Sequence, residues 1–342
     1  MHMANELLSL PVAGGTLVIA GGVLGLICKK AKQVITSEKL ALMGILGAFI
    51  FAAQMVNFRL PAMPGTSGHM VGAVLLAIIL GPHAAAIVIS SVIIVQCLIF
   101  QDGGLLALGC NIINMAFVPA YVGYYLYRIA AARSFSNLRT YIGVMLACLI
   151  GIETCAVLVP IEATLSGVLM VPFSTFLITM TGVHFLVGIV EGIVTVAVLA
   201  YIQQVRPDIV ADNLCGKVRL SKRAVLATFA VFTIIIGAGL SLLASRMPDG
   251  LEWSYAERPD QPNFKPIVSN NDSRITVIDR LQSKYSLMPD YSVRSNGENE
   301  NSQASVGWTS FAGVFGSITT MAVIWLIAWI LRRNNPRTII AQ

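Results

Sequence analysis

Long apolar runs recur along almost the whole chain and limit what it can fold into. Nine runs come close to the length that crosses about 30 Å of hydrocarbon, at 11–28, 40–57, 69–81, 84–100, 104–127, 140–160, 174–203, 224–244 and 307–331. Only 12% of the 342 residues are charged, against about 25% in a soluble domain. The sequence therefore predicts an all-α integral membrane protein with about nine transmembrane helices. The third run is short, and Gly81-Pro82-His83 alone separates it from the fourth, which predicts a tight helical hairpin.

Positive charges are concentrated in alternate connections between these runs. They follow the first, fifth, seventh and ninth runs, at Lys29, Lys30, Lys32, Lys39, Arg128, Arg133, Arg139, Arg206, Lys217, Arg219, Lys222, Arg223, Arg332, Arg333 and Arg337. The short connections on the other side hold only Arg59. Because Lys and Arg accumulate in cytoplasmic loops, we expect a multi-pass protein of the cell membrane with its N-terminus outside and its C-terminus in the cytoplasm. The net charge of +6 then reflects anchoring in the bilayer, and no nucleic acid is expected as a partner.

Composition divides the chain into three parts. Residues 1–203 form a membrane domain with short connections, 204–223 a basic cytoplasmic linker, and 224–342 a second unit in which two apolar runs flank a polar external loop at 246–306. That loop is rich in Asn and Ser near 296–304. The six cysteines lie in apolar runs or on the cytoplasmic side, so no disulfide framework is expected.

His2 stands directly behind Met1, on the side predicted to be external. A free Met1 amine, the His2 amide nitrogen and His2 Nδ1 would close a five-membered and a six-membered chelate ring in one plane. One corner of that plane stays open. The stretch RLPAMPGTSGHM (59–70), made rigid by its prolines and glycines, brings His69 to the same side, where it can fill that corner.

A nearly square-planar site of four nitrogens favours Ni(II) or Cu(II), because Zn(II) prefers a tetrahedron. We therefore predict Met1, His2 and His69 as metal ligands. The ordinary alternative is that each histidine is only a solvated surface side chain. His83 lies on the cytoplasmic side and cannot join an external site.

His184 and Glu191 are ionisable residues inside the seventh run. They are seven residues apart, which places them on one face of a helix. Buried ionisable groups in a membrane are functional candidates, although a pair that only satisfies polar groups in helix packing is the more ordinary interpretation.

Several stretches resemble the substrate-capture (S) components of energy-coupling factor transporters for nickel and cobalt, the NikM/CbiM family. They are MHM...LLS (1–9), GTSGHMVGAVLLAIILGP (65–82), DGGLLALGCNIINMA (102–116) and HFLVGIVEGIVT (184–195). The start MHMANELLS and GAFIFAAQMVNF (47–58) resemble the nickel branch. The resemblance implies a seven-helix domain whose N-terminal residues insert into the site, with Met1, His2 and His69 as ligands of a transported nickel ion.

The second unit is similar to the small accessory component of these transporters, here fused to the capture domain as a NikN-like PDGLE segment. The similarity rests on PDGLEW (248–253), MPDYSV (288–293) and the run at 307–331. None of the predicted ligands lies in this unit, so metal binding is expected to survive its removal.

The resemblance also implies partners. A capture component works with a transmembrane coupling (T) component and a pair of cytoplasmic ATPases, and this chain has no G-x-x-x-x-G-K-[ST] phosphate loop of its own. We therefore expect a substrate-binding subunit and not an enzyme. Gly44, Ala48 and Ala52 form a ridge of small residues that lets helices approach closely. The resemblance implies that this ridge meets the coupling component, and internal packing is the alternative.

Other functions are left open or disfavoured by the sequence. A cobalt-capturing subunit of the same transporter class is an alternative, and a proton-coupled secondary transporter using His184 and Glu191 is a more distant one. That transporter should show inverted repeats with broken helices, which are not detectable here. An intramembrane metalloprotease would need a His-x-x-x-His motif or a second ligand cluster with a general base, and the sequence has neither.

Overall fold

The computed structural model describes residues 1–32, 35–131, 134–135, 137–211, 216–292 and 306–333. These residues are mostly α-helical, which confirms the predicted all-α membrane class. The helices are α1 (Leu10–Ala31), α2 (Ser37–Gln54), α3 (Ala73–Leu80), α4 (Pro82–Val95), α5 (Leu108–Asn111), α6 (Val118–Ala130), α7 (Leu138–Leu165), α8 (Phe173–Val205), α9 (Lys222–Ile234), α10 (Gly250–Tyr255), α11 (Ser273–Tyr285) and α12 (Val306–Arg333).

Shorter elements connect or extend these helices. Strands β1 (Phe58–Arg59) and β2 (Ser67–Gly68) pair antiparallel. Segments of π-helix extend α4, join α5 to α6 and extend α9, at Gln96–Phe100, Ile112–Phe117 and Ile235–Gly239. Single 3₁₀ turns lie at Asn5–Leu7, Pro207–Ile209, Leu240–Leu243 and Pro289–Tyr291.

Seven helices in the described ranges are long and apolar enough to cross a membrane. They cover Leu10–Ala31, Ser37–Gln54, Pro82–Phe100, Leu138–Leu165, Phe173–Val205, Lys222–Leu243 and Gly307–Arg333. The third and fifth of the nine predicted runs are not single long helices of this kind. Helix α3 has 8 residues, about 12 Å of helix, which cannot cross about 30 Å of hydrocarbon. The fifth run is a helix in three pieces, α5, a π-helical part and α6.

Helix α3 is short because glycines set both of its ends. Gly72 (φ 78°) precedes its first turn and Gly81 (φ 83°) follows its last, and glycine adopts such positive φ values without steric cost. Pro82 then starts α4, where a missing N–H costs nothing. The predicted hairpin of the third and fourth runs is therefore formed, but an extended stretch at 67–72 replaces the first four residues of the predicted helix.

Helix α3 also forms the centre of the molecule. All of its residues are buried, and α4, α6, α7 and α8 pack around it. The outer helices α1, α8 and α12 instead expose apolar side chains such as Val18, Ile178 and Trp325. An apolar outer surface around a buried core is the arrangement expected of helices that contact lipid.

The two ends of the helical bundle differ in charge. At one end lie the last turns of α1, α6 and α12, which hold Lys29, Lys30, Arg128, Arg332 and Arg333. At the same end the Lys222 ammonium contacts the Glu38 carboxylate. We call this end the basic face. The opposite end, which holds the first residues of the chain and strands β1 and β2, is called the site face.

The predicted ridge on α2 lies under the chain's own last helix. Met321 packs on Gly44, where an added Cβ would lie 3.4 Å from Met321 Cγ. Ser317 Oγ donates to Ala48 O at 3.4 Å, and the backbone of the π-helical part of α9 approaches Ala52. Helix α12 therefore covers the ridge, and a coupling protein that used this face would have to displace it. Contact of the ridge with a coupling protein remains a prediction.

The connection between α9 and α12 covers the site face. We call residues 244–292 the accessory segment; the stretch near 296–304 lies outside the described residues. Helix α10 packs on α8, and Met288 N donates to Ile99 O at 3.0 Å. The segment is therefore packed against the membrane domain and not separate from it.

Candidate metal site

The first eight residues insert into the site face and are held there by the loop after α4. Met1 and Met3 are buried, at 5% and 0% exposed. Met3 N donates to Asn111 Oδ1 at 2.7 Å, and Gly104 N donates to Met3 O at 2.9 Å. A Cβ on Gly104 would lie 2.5 Å from Asn5 N, so glycine is required for this close approach. The inserted segment has a fixed path as a result.

The accessory segment holds the same residues from the other side. Gln282 Oε1 accepts from Asn5 Nδ2 at 3.4 Å, and its Nε2 donates to Gly103 O, in the loop after α4, at 2.8 Å. Asn270 Nδ2 donates to Leu8 O at 2.9 Å. The N-terminal residues therefore lie between the membrane domain and the accessory segment.

His69 follows strand β2, and its neighbours fix which ring nitrogen carries the proton. Nδ1 lies 3.1 Å from Met70 O, an acceptor, so Nδ1 donates. Nε2 then keeps its lone pair and accepts from the Met1 amine at 3.0 Å. Strand β2 is fixed by the accessory segment, because Ser67 N donates to Pro248 O at 2.9 Å. The lone pair of His69 is thus directed at the first residue of the chain.

The structure brings all three predicted ligand residues together. The Met1 amine contacts His69 Nε2, and the imidazole rings of His2 and His69 stack with centroids 5.5 Å apart and planes 18° from parallel. Among the described residues, no three His, Cys, Asp or Glu side chains are grouped as a metal site. The predicted set differs from such a group because two of its four nitrogens belong to the main chain.

His2 is oriented by polar partners on both ring nitrogens. Nδ1 lies 3.0 Å from Asp102 Oδ1 and Nε2 lies 3.1 Å from Gln96 Oε1. Asp102 also accepts from the Tyr291 hydroxyl at 2.5 Å. Burial alone would raise the pKa of Asp102, but the charge and hydrogen bond of His2 and the hydrogen bond of Tyr291 outweigh it and lower that pKa. Asp102 therefore stays ionised beside the His2 ring.

Asp249, from the PDGLE sequence, is a site residue that sequence reasoning missed. Its Oδ2 contacts the Met1 ammonium and lies 3.9 Å from His69 Nε2, while Oδ1 accepts from the first N–H groups of α10 as an N-cap. Burial raises the pKa of Asp249, but the Met1 amine and His69 outweigh burial and lower it. Metal binding was expected to survive removal of residues 224–342 because no predicted ligand lies there. The contact between Asp249 and Met1 argues against that expectation.

Glu191 positions the chain that leads from His69 to α3. Its two carboxylate oxygens accept from Val71 N at 2.7 Å and Gly72 N at 3.0 Å, and Gln54 Nε2 donates to Val71 O at 2.8 Å. These bonds satisfy backbone groups that a helix would have satisfied internally. Glu191 is fully buried, so its role is to hold the extended stretch at 67–72.

His184 has a different role from Glu191, although both lie on α8. It lines a small pocket of about 10 Å³ together with Met1, His69 and Asp249. Its Nδ1 contacts Met180 O at 2.7 Å. The two ionisable residues of the seventh run therefore do not form a pair with each other. His83 lies elsewhere in the fold, where its Nδ1 contacts the Tyr121 hydroxyl at 2.6 Å.

Comparison with known families identifies this architecture. Residues 2–209 match the family CbiM, described as the cobalt uptake substrate-specific transmembrane region, and residues 223–333 match the PDGLE domain. The chain belongs to the CbiM family. It is a multi-pass membrane component of metal transport that carries a PDGLE domain after its CbiM-type region.

Relatives of this CbiM-family chain include fused proteins. A putative fused nickel transport protein NikMN of Archaeoglobus fulgidus is 39% identical over 223 residues, which cover 65% of this chain and 72% of the relative. A probable fused nickel transport protein LarMN of Lactiplantibacillus plantarum is 35% identical over 270 residues, with 75% and 79% covered. The crystal structure of a truncated transition metal transporter matches with a TM-score of 0.52 and 31% identity, covering 59% of this chain and 98% of that one.

The role of Glu191 generates a testable prediction. Glu191→Ala leaves the Val71 and Gly72 N–H groups buried without acceptors, and each such group costs about 1–3 kcal/mol. Glu191→Gln keeps one carbonyl acceptor and should lose less. We expect the melting temperature in detergent to be highest for the wild type, lower for Glu191→Gln and lowest for Glu191→Ala. Equal melting temperatures for the three proteins would contradict the assigned role.

Proposed function

We propose that this chain captures Ni(II) at its site face, as the substrate-binding subunit of an energy-coupling factor importer. The metal ion is the substrate of the protein. The Met1 amine, the His2 amide nitrogen, His2 Nδ1 and His69 Nε2 are its four ligands in a nearly square plane. The proposal requires that the mature chain begins at Met1 with a free amine, which mass spectrometry of the purified protein can establish.

The observation that carries the proposal is the 3.0 Å contact between the Met1 amine and His69 Nε2. These are the groups that would occupy adjacent corners of the plane, although they are 68 residues apart in sequence. The stacked His2 ring lies close enough to supply the remaining side-chain nitrogen. Hydrogen bonds from both halves of the chain hold this arrangement, which is the preorganisation that a metal site needs.

Metal binding would exchange existing contacts for metal–nitrogen bonds. The Met1 ammonium, now paired with Asp249, must lose a proton before its nitrogen can ligate, since a ligand needs a free lone pair. The His2 amide nitrogen must also give up its proton to solvent, and His2 Nδ1 must turn from Asp102 toward the metal with its lone pair free. Both carboxylates remain beside the site, where their negative charge favours a divalent cation over a neutral or anionic ligand.

Nickel is preferred over cobalt on chemical grounds. Square-planar nitrogen coordination is characteristic of Ni(II) and Cu(II), and the two fused relatives are described as nickel transport proteins. The description of the matching family as cobalt uptake supports Co(II) capture as the second candidate. The two metals can be distinguished by competition for the purified protein.

The proposed mode of transport follows from what the chain lacks and from its charge distribution. It has no phosphate loop, so a separate coupling component and a pair of ATPases would supply the energy. The basic face would lie in the cytoplasm of a bacterial or archaeal cell, in accord with the positive-inside rule. The site face, with the N-terminus, would then lie outside and meet the metal first.

Removal of either imidazole tests the ligand set. His2→Ala and His69→Ala should each weaken nickel binding by more than about 100-fold, because even changes outside the ligand shell cost 10–100-fold. His83→Ala is the matched control, since His83 lies away from the site, and it should bind as the wild type does. Nickel content and isothermal titration of the detergent-purified proteins measure the effect. Stoichiometric nickel on His69→Ala at wild-type affinity would contradict the proposed fourth ligand.

Dependence on an ATPase tests the mode of transport. We expect cells that express this chain to lose nickel uptake when the partner ATPase is inactivated, while the purified chain still binds nickel. Uptake of radioactive nickel in paired strains measures this. Uptake that continues without the ATPase would favour the proton-coupled carrier instead.

A further inference from the structure

An acidic cavity lies on the site face, between the proposed metal ligands and the accessory segment. Its volume is about 490 Å³. It is lined by His2 and His69 and by five carboxylate residues: Asp102, Asp249, Glu252, Asp279 and Asp290. Within the described residues, no Lys or Arg lines it. The cavity therefore has the charge of a cation-binding space and opens directly onto the proposed ligands.

A buried acceptor without a donor points to a ligand in the same cavity. Gln54 lines the cavity and is 4% exposed. Its Nε2 donates to Val71 O, but its Oε1 has no hydrogen-bond partner among the described residues. A buried carbonyl oxygen without a donor is costly, and water bound to a metal ion is a donor that would satisfy it.

Two carboxylates from the accessory segment are not used in hydrogen bonds or ion pairs with other described residues. Glu252 and Asp290 line the cavity, and their carboxylates accept no hydrogen bond within the described residues. Partial burial and the neighbouring charge of Asp249 raise the pKa of Glu252, and partial burial and the charge of Asp102 raise the pKa of Asp290. Like charges held this close together are stabilised when a cation lies between them.

The size of the cavity suits a hydrated ion. Six waters occupy about 180 Å³ at roughly 30 Å³ each, which the cavity can contain. The proposed plane of four nitrogens, in contrast, requires the ion to lose its water. An incoming ion would therefore bind first in the cavity, through its water shell, and lose that water only when it reaches the four nitrogens.

We propose that this acidic cavity is a docking site for a hydrated divalent cation, where the ion is held by Glu252 and Asp290 before the N-terminal nitrogens take it. This inference rests on the proposed function and adds a residence point on the path to that site. It assigns a task to the accessory segment, whose carboxylates collect the cation and raise its rate of arrival.

The test compares nickel association in matched variants. The double variant Glu252→Gln/Asp290→Asn removes both charges with almost no change of shape, and asparagine tolerates the positive φ of 50° at position 290. The control is Glu257→Gln, which removes an exposed carboxylate of the same segment that does not line the cavity. Stopped-flow mixing with nickel chloride gives the association rate at low and high salt, and metal analysis gives the final nickel content.

We expect the double variant to bind nickel about tenfold more slowly at low salt, with a smaller difference at high salt. Its final nickel content and visible spectrum should equal those of the wild type, and the control should stay within about twofold of the wild-type rate. A wild-type rate in the double variant would overturn the docking site. Loss of nickel stoichiometry would also overturn it, because the two residues would then be final ligands. Absence of nickel binding by the wild type would overturn the proposed function itself.

Discussion

The structure depends on how a non-helical stretch is satisfied deep inside a helical membrane protein. Irregular backbone at this depth is tolerated only where it is buried in protein or lines a cavity. Here the Glu191 carboxylate accepts two backbone N–H groups, and the Gln54 amide donates to the carbonyl between them. Without these bonds the Val71 and Gly72 N–H groups and the Val71 carbonyl, which follow closely on His69, would be buried without partners. The position of the proposed fourth ligand therefore depends on a buried acid on a different helix as well as on the accessory segment that fixes strand β2.

The N-terminal residues connect the two parts of the chain. They are bound by Gly104 and Asn111 on one side and by Gln282 and Asn270 of the accessory segment on the other. Asp249 extends this arrangement to the Met1 amine, 248 residues away in sequence. Since one carboxylate caps α10 and also contacts the proposed ligand, the fused PDGLE domain contributes to the site as well as covering it. The accessory segment is thus expected to affect both the rate and the strength of metal binding.

Much of the fold could be predicted from the sequence, and the failures have physical reasons. Apolar runs identify buried segments, and the distribution of Lys and Arg predicts that His2 and His69 lie on the same side. The same apolar residues suit a helix or a buried extended chain, so nothing in the run at 69–81 indicates that its first four residues are not helical. The contact of Asp249 with Met1 joins distant residues and leaves no local pattern. The small residues on α2 predict that another helix packs closely on them, and α12 does so. Their spacing does not indicate which helix this is.

The most direct test of the account changes the N-terminal amine and keeps every side chain of the chain. A chain extended at its N-terminus by a short tag keeps every side chain of the wild type but turns the Met1 amine into an amide, and the same tag at the C-terminus is the control. A square-planar, nitrogen-rich Ni(II) site absorbs visible light, so nickel content and the absorption spectrum are measured together. The account predicts that the N-terminal tag abolishes both the bound nickel and the band, whereas the C-terminal tag preserves them. Native nickel stoichiometry and spectrum with the N-terminal tag would contradict the claim that the amine is a ligand.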